Sequence, residues 1–299
     1  MKSYLPSIAS AAAVIVGAAA ALAQWPSYHT PGPRTPDGKI DMTAPAPKTA
    51  DGHTDFSGVW AAGGGGGGGA GRGRGAAKGK GPAPGTENAK GPAAAPAPAA
   101  ASDSPPLATF FNIGQNIPGG APMTPWAQKV YNDRKTENSK DNPDAHCLPL
   151  GYMQLHLHPQ PRKIIQTPSL MVILYEAQAG VRQIFLDGRP LPKNDPQPWW
   201  YGYSIGHWDG DALVVESTGF RDDVWLDVNG TPLTNTGKIT ERFRRPNFGT
   251  LQIDITIEDP KAFTKPFTVR VNQRLMPDTE LIEFICNENE KSDAHLVGK

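Results

Sequence analysis

From Lys163 onward, apolar and polar residues alternate along the chain, and this two-residue period limits the possible fold more than any other feature. The segment LQIDITIE (251–258) puts four apolar residues on one side and four polar residues on the other, as in a strand with one buried and one solvated face. Short connections without intervening helices predict an all-β fold, an antiparallel meander of about eight or nine strands. We expect it to form a barrel or a rolled sheet, because closure removes exposed strand edges. The strand candidates are KIIQT, LMVILYEA, VRQIFLD, YSIGHW, DALVVEST, KITERFRR, TLQIDITIED, FTVRVNQRLM and TELIEFIC.

Upstream of these strands, the chain divides into segments of different composition. Residues 1–23 combine a basic start, an apolar stretch and the pattern Ala21-Leu22-Ala23, which is typical of a secretory signal peptide. Residues 24–60 form an N-terminal extension with two similar phrases, TPDGKID and ADGHTDFSGVW. Residues 61–106 are rich in Gly, Ala and Pro, and we expect a disordered linker there. The barrel-like domain is then predicted over 107–299, with one short helix near 123–135, where Thr124 can cap and Pro125 suits the first turn.

The charge balance narrows the range of partners. Lys and Arg total 29, as do Asp and Glu, so the formal net charge is zero and nothing in it favours nucleic acid. No stretch after the signal is long and apolar enough to span a membrane, so no membrane insertion is expected after signal cleavage. No phosphate-binding glycine loop and no Gly-x-Ser-x-Gly motif occur, so no cofactor is predicted. We expect an exported protein, periplasmic or secreted, whose partner is a small molecule.

The two cysteines, Cys147 and Cys286, lie at opposite ends of the strand-rich region. An even pair in an exported chain favours a disulfide. Two free buried thiols and a metal pair are the alternatives.

The segment YSIGHWDGDALVVEST (203–218) has the pattern of a β-hairpin turning at Asp209-Gly210, which would pair Trp208 with Asp211. His207 is the obvious proton carrier if it lines a pocket, although a histidine beside a turn is commonly just solvated. Arg182 and Glu241 are charges within strand patterns, so they either orient a ligand inside the barrel or form a structural salt-bridge network. If the protein is an enzyme, its predicted catalytic residues are His207, Arg182 and Glu241.

Aromatic and basic residues suggest a binding site at the mouth of the barrel. The Pro-rich loop after Asp187 ends in Trp199-Trp200-Tyr201, and flat aromatic rings suit sugars. A hydrophobic lid on the barrel is the alternative. His156 and His158 could begin a metal site, but no third ligand stands out and a rigid exposed segment is favoured, so no metal is predicted. The predicted ligand-binding residues are Tyr175, Arg189, Trp199, Trp200, Tyr203, Trp208 and Arg242.

The stretches LDGRPLP, WWYGYSIGHWDGDALVVESTGF, ITERFRRPNFGTLQIDITIEDPKAFTKPFTV and EFICNEN resemble a widespread family of exported bacterial β-rich proteins of unknown function. The resemblance covers 147–289 and, at the start, TDFSGVW. Members usually carry a histidine at the positions of Leu191 and Leu233, so any metal or proton-transfer role of those histidines would be lost here. The triplet Gly58-Val59-Trp60 is similar to the Gly-x-Trp signature of lipocalins, but the barrel prediction depends on the strand count.

Two classes of function remain open. The first is an exported β-barrel that binds a small, partly apolar ligand, either aromatic or carbohydrate. The second is a secreted lyase, isomerase or hydrolase that uses acid–base chemistry in the barrel pocket. A smooth apolar cavity would favour the first, and a buried cluster of His, Arg and a carboxylate around one concave pocket would favour the second.

The signal peptide predicts a mature N-terminus at or near Gln24, because signal peptidases cut after small-x-small patterns such as Ala21-Leu22-Ala23. N-terminal sequencing of protein from the periplasm or the medium measures it. Intact Met1 on a cytoplasmic pool would contradict the prediction.

Overall fold

A computed structural model describes residues 28–63, 104–193 and 197–286. Nine strands form one closed barrel in chain order, so the predicted all-β barrel is confirmed. The helices are α1 (Pro125–Thr136) and α2 (Tyr152–Leu157), with 3₁₀ turns at Pro143–His146 and Ala177–Ala179. The strands are β1 (Gly58–Ala62), β2 (Arg162–Gln166), β3 (Leu170–Tyr175), β4 (Gly180–Phe185), β5 (Tyr203–Asp209), β6 (Ala212–Thr218), β7 (Lys238–Asn247), β8 (Thr250–Glu258) and β9 (Phe267–Leu275).

The strand that closes the barrel comes from the N-terminal extension. Strand β1 pairs with β2 through Gly58 and Ile164, and with β9 through Trp60 and Leu275. The fully buried Trp60 anchors it. The boundary drawn at residue 60 therefore runs through β1, and the extension is part of the barrel. The signal peptide and most of the linker, residues 64–103, lie outside the described residues.

Eight of the nine predicted strands are β2–β9, but the ninth, TELIEFIC, is not a strand. Side chains hold this segment instead. Glu280 pairs with Lys163 at 2.6 Å, and the backbone N–H of Ile282 donates to Glu176. Cys286 forms the predicted disulfide with Cys147, and their Cα atoms are 5.6 Å apart.

One strand pair departs from the predicted antiparallel meander. Strands β4 and β5 run parallel, with Ile184 opposite Ser204 and Phe185 opposite Ile205, whereas all other neighbours in the barrel are antiparallel. A parallel neighbour requires the chain to return to the same end of the sheet. The long Pro-rich loop between Phe185 and Tyr203 makes this return, and it carries several of the predicted ligand-binding residues.

The alternation of apolar and polar residues sets the inner face of the barrel. Along β8, the residues Leu251, Ile253, Ile255 and Ile257 are completely buried, as predicted. Helix α1 also begins as predicted, because the hydroxyl of Thr124 accepts a bond from the Ala127 N–H at 3.2 Å.

Two similar turns lie in the N-terminal segment, at 33–41 and 47–55. Each contains an isolated antiparallel bridge, Arg34 to Ile40 in the first and Lys48 to Thr54 in the second. The basic residue of each turn pairs with an aspartate beyond a barrel strand: Arg34 with Asp278, and Lys48 with Asp211. The two turns are thereby fixed to the barrel.

The β5–β6 hairpin has a different register from the predicted one. Asp209 pairs with Ala212 and Trp208 with Leu213, so the turn residues are Gly210 and Asp211. Gly210 has φ +59°, and Asp211 has no positive φ. A positive φ at the first turn residue alone is typical of a type II′ turn, in which Gly is favoured at that position. The shift keeps the predicted faces, because it moves the pairing by an even number of residues.

Gly210→Val should lower the free energy of unfolding by more than about 1 kcal/mol, because a β-branched residue fits a positive φ poorly. A Cβ at this position would meet nothing within 4 Å, so the loss would come from the backbone alone. Gly210→Asn is the control and should lose less, since Asn tolerates positive φ better. Urea unfolding measures both variants. Equal stability of Gly210→Val and the wild type would contradict the turn geometry.

Candidate functional site

The barrel interior contains a cluster of charged side chains. Arg182 donates to both carboxylate oxygens of Glu241, through Nη2 to Oε2 and through Nη1 to Oε1 at 3.2 Å. His156 Nε2 lies 2.9 Å from the same Oε1. All three side chains are at most 1% exposed. We call these residues the buried ion cluster.

The barrel strands position this cluster from several sides. Arg182 and Glu241 occupy inward positions on β4 and β7. The guanidinium of Arg182 also donates to Ser204 on β5 at 3.2 Å and to Ser217 on β6 at 3.1 Å. It lies 3.7 Å from the centre of the Tyr152 ring. The guanidinium is therefore fixed by a carboxylate, two hydroxyls and an aromatic face.

His156 enters the cluster from helix α2. Five of the six residues of this short helix are buried, including the polar Gln154 and His156. The buried Arg162 caps its C-terminal end by donating to the carbonyls of His156, His158 and, beyond the helix, Gln160. Tertiary contacts therefore stabilise a helix that is too short to form alone.

The environment sets the protonation states. Burial by itself would raise the pKa of Glu241, but Arg182 and His156 outweigh it and lower the pKa to about 2. Burial lowers the pKa of His156 below its ordinary 6.5, although Glu241 opposes this shift. The neutral ring donates its Nε2–H to the carboxylate, which can only accept. Its Nδ1 then has no hydrogen-bond partner among the described residues.

The predicted catalytic residues are only partly brought together. Arg182 and Glu241 meet as an ion pair, but His207 lies on the outer face of β5 and is exposed. The three predicted catalytic residues are therefore not brought together, His207 is the solvated histidine that the alternative interpretation gave, and His156 is the histidine that contacts Glu241. Its two apolar neighbours, Leu155 and Leu157, were the available signal, but Pro159 and Pro161 had suggested an exposed segment.

Three of the predicted ligand-binding residues meet on the outer wall of the barrel. Trp199 and Tyr203 have ring centroids 5.1 Å apart, and Tyr203 stacks on Phe185 at 5.2 Å. Arg189 lies 3.9 Å over the Phe185 ring and donates to the Tyr203 hydroxyl at 3.3 Å. Asp187 holds Arg189 through bonds of 2.6 to 3.0 Å. We call these five residues the aromatic platform.

The other predicted ligand-binding residues lie elsewhere, so the structure does not bring the predicted set together at one site. Tyr175 is buried at 3% exposure. Trp200 packs against the core with Arg221 over its ring at 4.5 Å. Trp208 stacks on His53 at the far end of β5, with centroids 4.3 Å apart.

A groove of about 560 Å³ separates the N-terminal turns from the barrel wall. Its walls are mostly apolar and include Pro31, Pro33, Pro45, Pro47, Ile164 and Leu275. Its buried cation, Arg245, donates to the backbone carbonyls of Asp55, Ser57 and Phe248. The groove therefore has few polar groups left to orient a ligand.

Among the described residues, no group of three or more His, Cys, Asp or Glu side chains could hold a metal ion. His158 lies beyond the end of α2, where its Nδ1 accepts from the Gln160 N–H at 3.3 Å. The helices in the described ranges are all too short or too polar to cross a membrane.

Comparison of the chain with protein-family models, curated proteins and solved structures found no match in any of the three. The resemblance to an exported bacterial family therefore stays a prediction.

Glu241→Gln should lower the free energy of unfolding by about 3 kcal/mol or more, because it leaves Arg182 as a buried charge without its counter-ion. The matched control is Glu216→Gln, which removes a half-buried carboxylate paired with Lys238 on the outer face of the barrel and should cost less than about 1 kcal/mol. Urea unfolding compares them. Similar losses would contradict a structural role for the cluster.

Acid should destabilise the protein through this cluster. The folded pKa of His156 is lowered from 6.5, so the unfolded chain binds an extra proton as the pH falls below that value. The folded pKa of Glu241 is about 2 against 4.5, so its stabilisation is present above pH 4.5 and is lost between 4.5 and 2. Urea unfolding across this range should show a steeper loss for the wild type than for Glu241→Gln. The two curves running parallel would exclude Glu241 as the cause.

Proposed function

We propose that the protein is an exported binding protein that holds a small ligand with a flat apolar face and a polar edge, such as a sugar ring, on the aromatic platform. The observation that carries this proposal is the stack of Trp199, Tyr203 and Phe185 beside the Arg189–Asp187 pair. Trp199 is 41% exposed. An exposed ring next to fixed polar groups is a common arrangement in ligand sites.

The aromatic rings supply the apolar contact. Trp and Tyr provide a large contact area with few rotatable bonds, so little side-chain entropy is lost when a ligand binds. Tyr203 is held between Trp199 and Phe185, which further limits its motion. The C–H face of a sugar or the face of an aromatic ring could stack on Trp199.

The polar side chains of the platform can distinguish one ligand from another. Arg189 uses Nε and Nη2 for Asp187 and one Nη1–H for Tyr203, so two of its five N–H groups have no partner among the described residues. Each oxygen of Asp187 already accepts two bonds from Arg189, so Asp187 fixes the guanidinium rather than the ligand. A sugar hydroxyl oxygen can accept a bond from the free N–H groups of Arg189.

The barrel interior is less suited to a ligand. Its inward positions are filled by apolar side chains and by the buried ion cluster, whose members are at most 1% exposed. A substrate would have to displace packed side chains to reach Glu241. The alternative function, a lyase, isomerase or hydrolase, is supported by the composition of that cluster, but its burial and the low pKa of Glu241 count against it.

Trp199→Ala should weaken binding about tenfold or more, because it removes a stacking face. Affinity electrophoresis of the mature chain, in gels that contain a neutral glucan, mannan or galactan, measures binding, and titration with an aryl glycoside tests aromatic ligands. The matched control is Trp126→Ala, since Trp126 is 42% exposed on α1 and has Lys261 5.0 Å over its ring.

Retardation of the wild type and of Trp126→Ala, but not of Trp199→Ala, would support the platform. Equal retardation of both variants would contradict it. Absence of wild-type binding to every polysaccharide and to the aryl glycoside would contradict the ligand class.

A further inference from the structure

A second concave surface lies at another part of the barrel wall. A cleft of about 550 Å³ is formed where the turn at 47–55 meets the β5–β6 turn and strands β7 and β8. Its charged lining residues are Lys48, Asp209, Asp211, Arg242, Arg244 and Arg245. We call it the cationic cleft. It contains none of the residues of the aromatic platform.

Positive charge exceeds negative charge in this cleft. Four of the charged lining residues are cations and two are carboxylates. Asp254 pairs with Arg244 from outside the lining, but it is shared with Arg270. The whole chain has no net charge, so this excess is a local separation of charge. Such local fields attract anions to clefts.

Two arginines in the cleft have free hydrogen-bonding capacity. Arg242 and Arg244 lie two residues apart on the outer face of β7. Their Cα atoms are therefore about 7 Å apart and their side chains are neighbours on that face. Arg242 uses only Nη1, for Asp209 at 2.6 Å, and Arg244 uses only Nη1, for Asp254. Their remaining N–H groups have no partner among the described residues. Two adjacent guanidinium forks suit the oxygens of a tetrahedral anion.

The carboxylates in the lining compete weakly for these cations. The side chains of Asp209 and Asp211 are 63% and 83% exposed. Ion pairs with such exposed partners contribute little, since water and salt screen them. Arg245 adds a further positive charge to the cleft. Its position is fixed, because the guanidinium donates to backbone carbonyls. Asp55 partly offsets this charge, but no carboxylate bonds directly to Arg245 among the described residues.

We propose that the cationic cleft is a binding site for a phosphate or sulfate group, with Arg242 and Arg244 as the direct donors and Lys48 and Arg245 as supporting charges. The shared chemistry is a tetrahedral oxyanion, either free or carried as an ester on a small molecule. This site shares no residue with the aromatic platform, so a negative result at one site does not contradict the proposal for the other.

Isothermal titration of the mature chain with inorganic phosphate and with sulfate, at low ionic strength and neutral pH, tests the proposal. We expect one site per chain and a dissociation constant of about 1 mM or tighter. The double variant Arg242→Gln/Arg244→Gln should weaken binding about tenfold or more. The matched control is Arg221→Gln/Arg274→Gln, which removes the same charge at two arginines outside the cleft, of which Arg221 is half-buried and Arg274 is exposed.

A second pair of substitutions separates the fork geometry from charge alone. Arg242→Lys/Arg244→Lys keeps both charges but loses the forks, and it should weaken binding several-fold if the site is discrete. Unchanged affinity of the lysine variant, an equal loss in the control, or binding of dextran sulfate without binding of either single anion would each overturn the proposal. Thermal melting of every variant checks that the fold is kept.

Discussion

The contact between Arg182 and Glu241 in the middle of the barrel is the interaction on which the rest of the structure depends. It joins β4 to β7 across the interior, and the two serines and His156 attach β5, β6 and α2 to the same point. Buried charges require such complete pairing, because each would otherwise cost several kcal/mol, on the order of 3–5, to leave without a partner. The pair therefore fixes which residues face inward, and it fixes helix α2 against the interior.

A filled interior determines where binding can occur. Ligand-holding barrels leave space between inward side chains, whereas here the rings of Tyr152, Tyr175 and Phe243 are buried around His156 of the ion cluster. The surfaces that remain for recognition are on the outer wall. Both proposed binding surfaces depend on irregular connections between strands. The aromatic platform includes residues of the loop that makes β5 parallel to β4. The cationic cleft lies where an N-terminal turn meets the β5–β6 turn.

The sequence predicts the parts of this fold that follow from local pattern. The alternation in β8, the cap at Thr124 and the cysteine pairing all follow from residue type and spacing. The long-range pairing of β1 with β9 does not, because GVWAA has no alternation and is separated from the other strands by more than 90 residues. For the same reason His156 was missed. Its apolar neighbours are compatible with burial, but its contacts with Arg162 and Glu241 join different parts of the chain, and no local pattern indicates them.

The interior of the barrel is closed to solvent, whereas its outer wall is available for ligand binding. Two histidines in the same molecule allow this difference in accessibility to be measured. His156 is 1% exposed beside Glu241, whereas His207 is exposed on β5. Treatment of the folded protein with diethyl pyrocarbonate, followed by mass spectrometry of its peptides, measures the reactivity of each ring. The account predicts rapid modification of His207 and modification of His156 only after unfolding. Equal modification of both rings in the folded protein would contradict it, since the cluster of Arg182, Glu241 and His156 would then be open to a substrate.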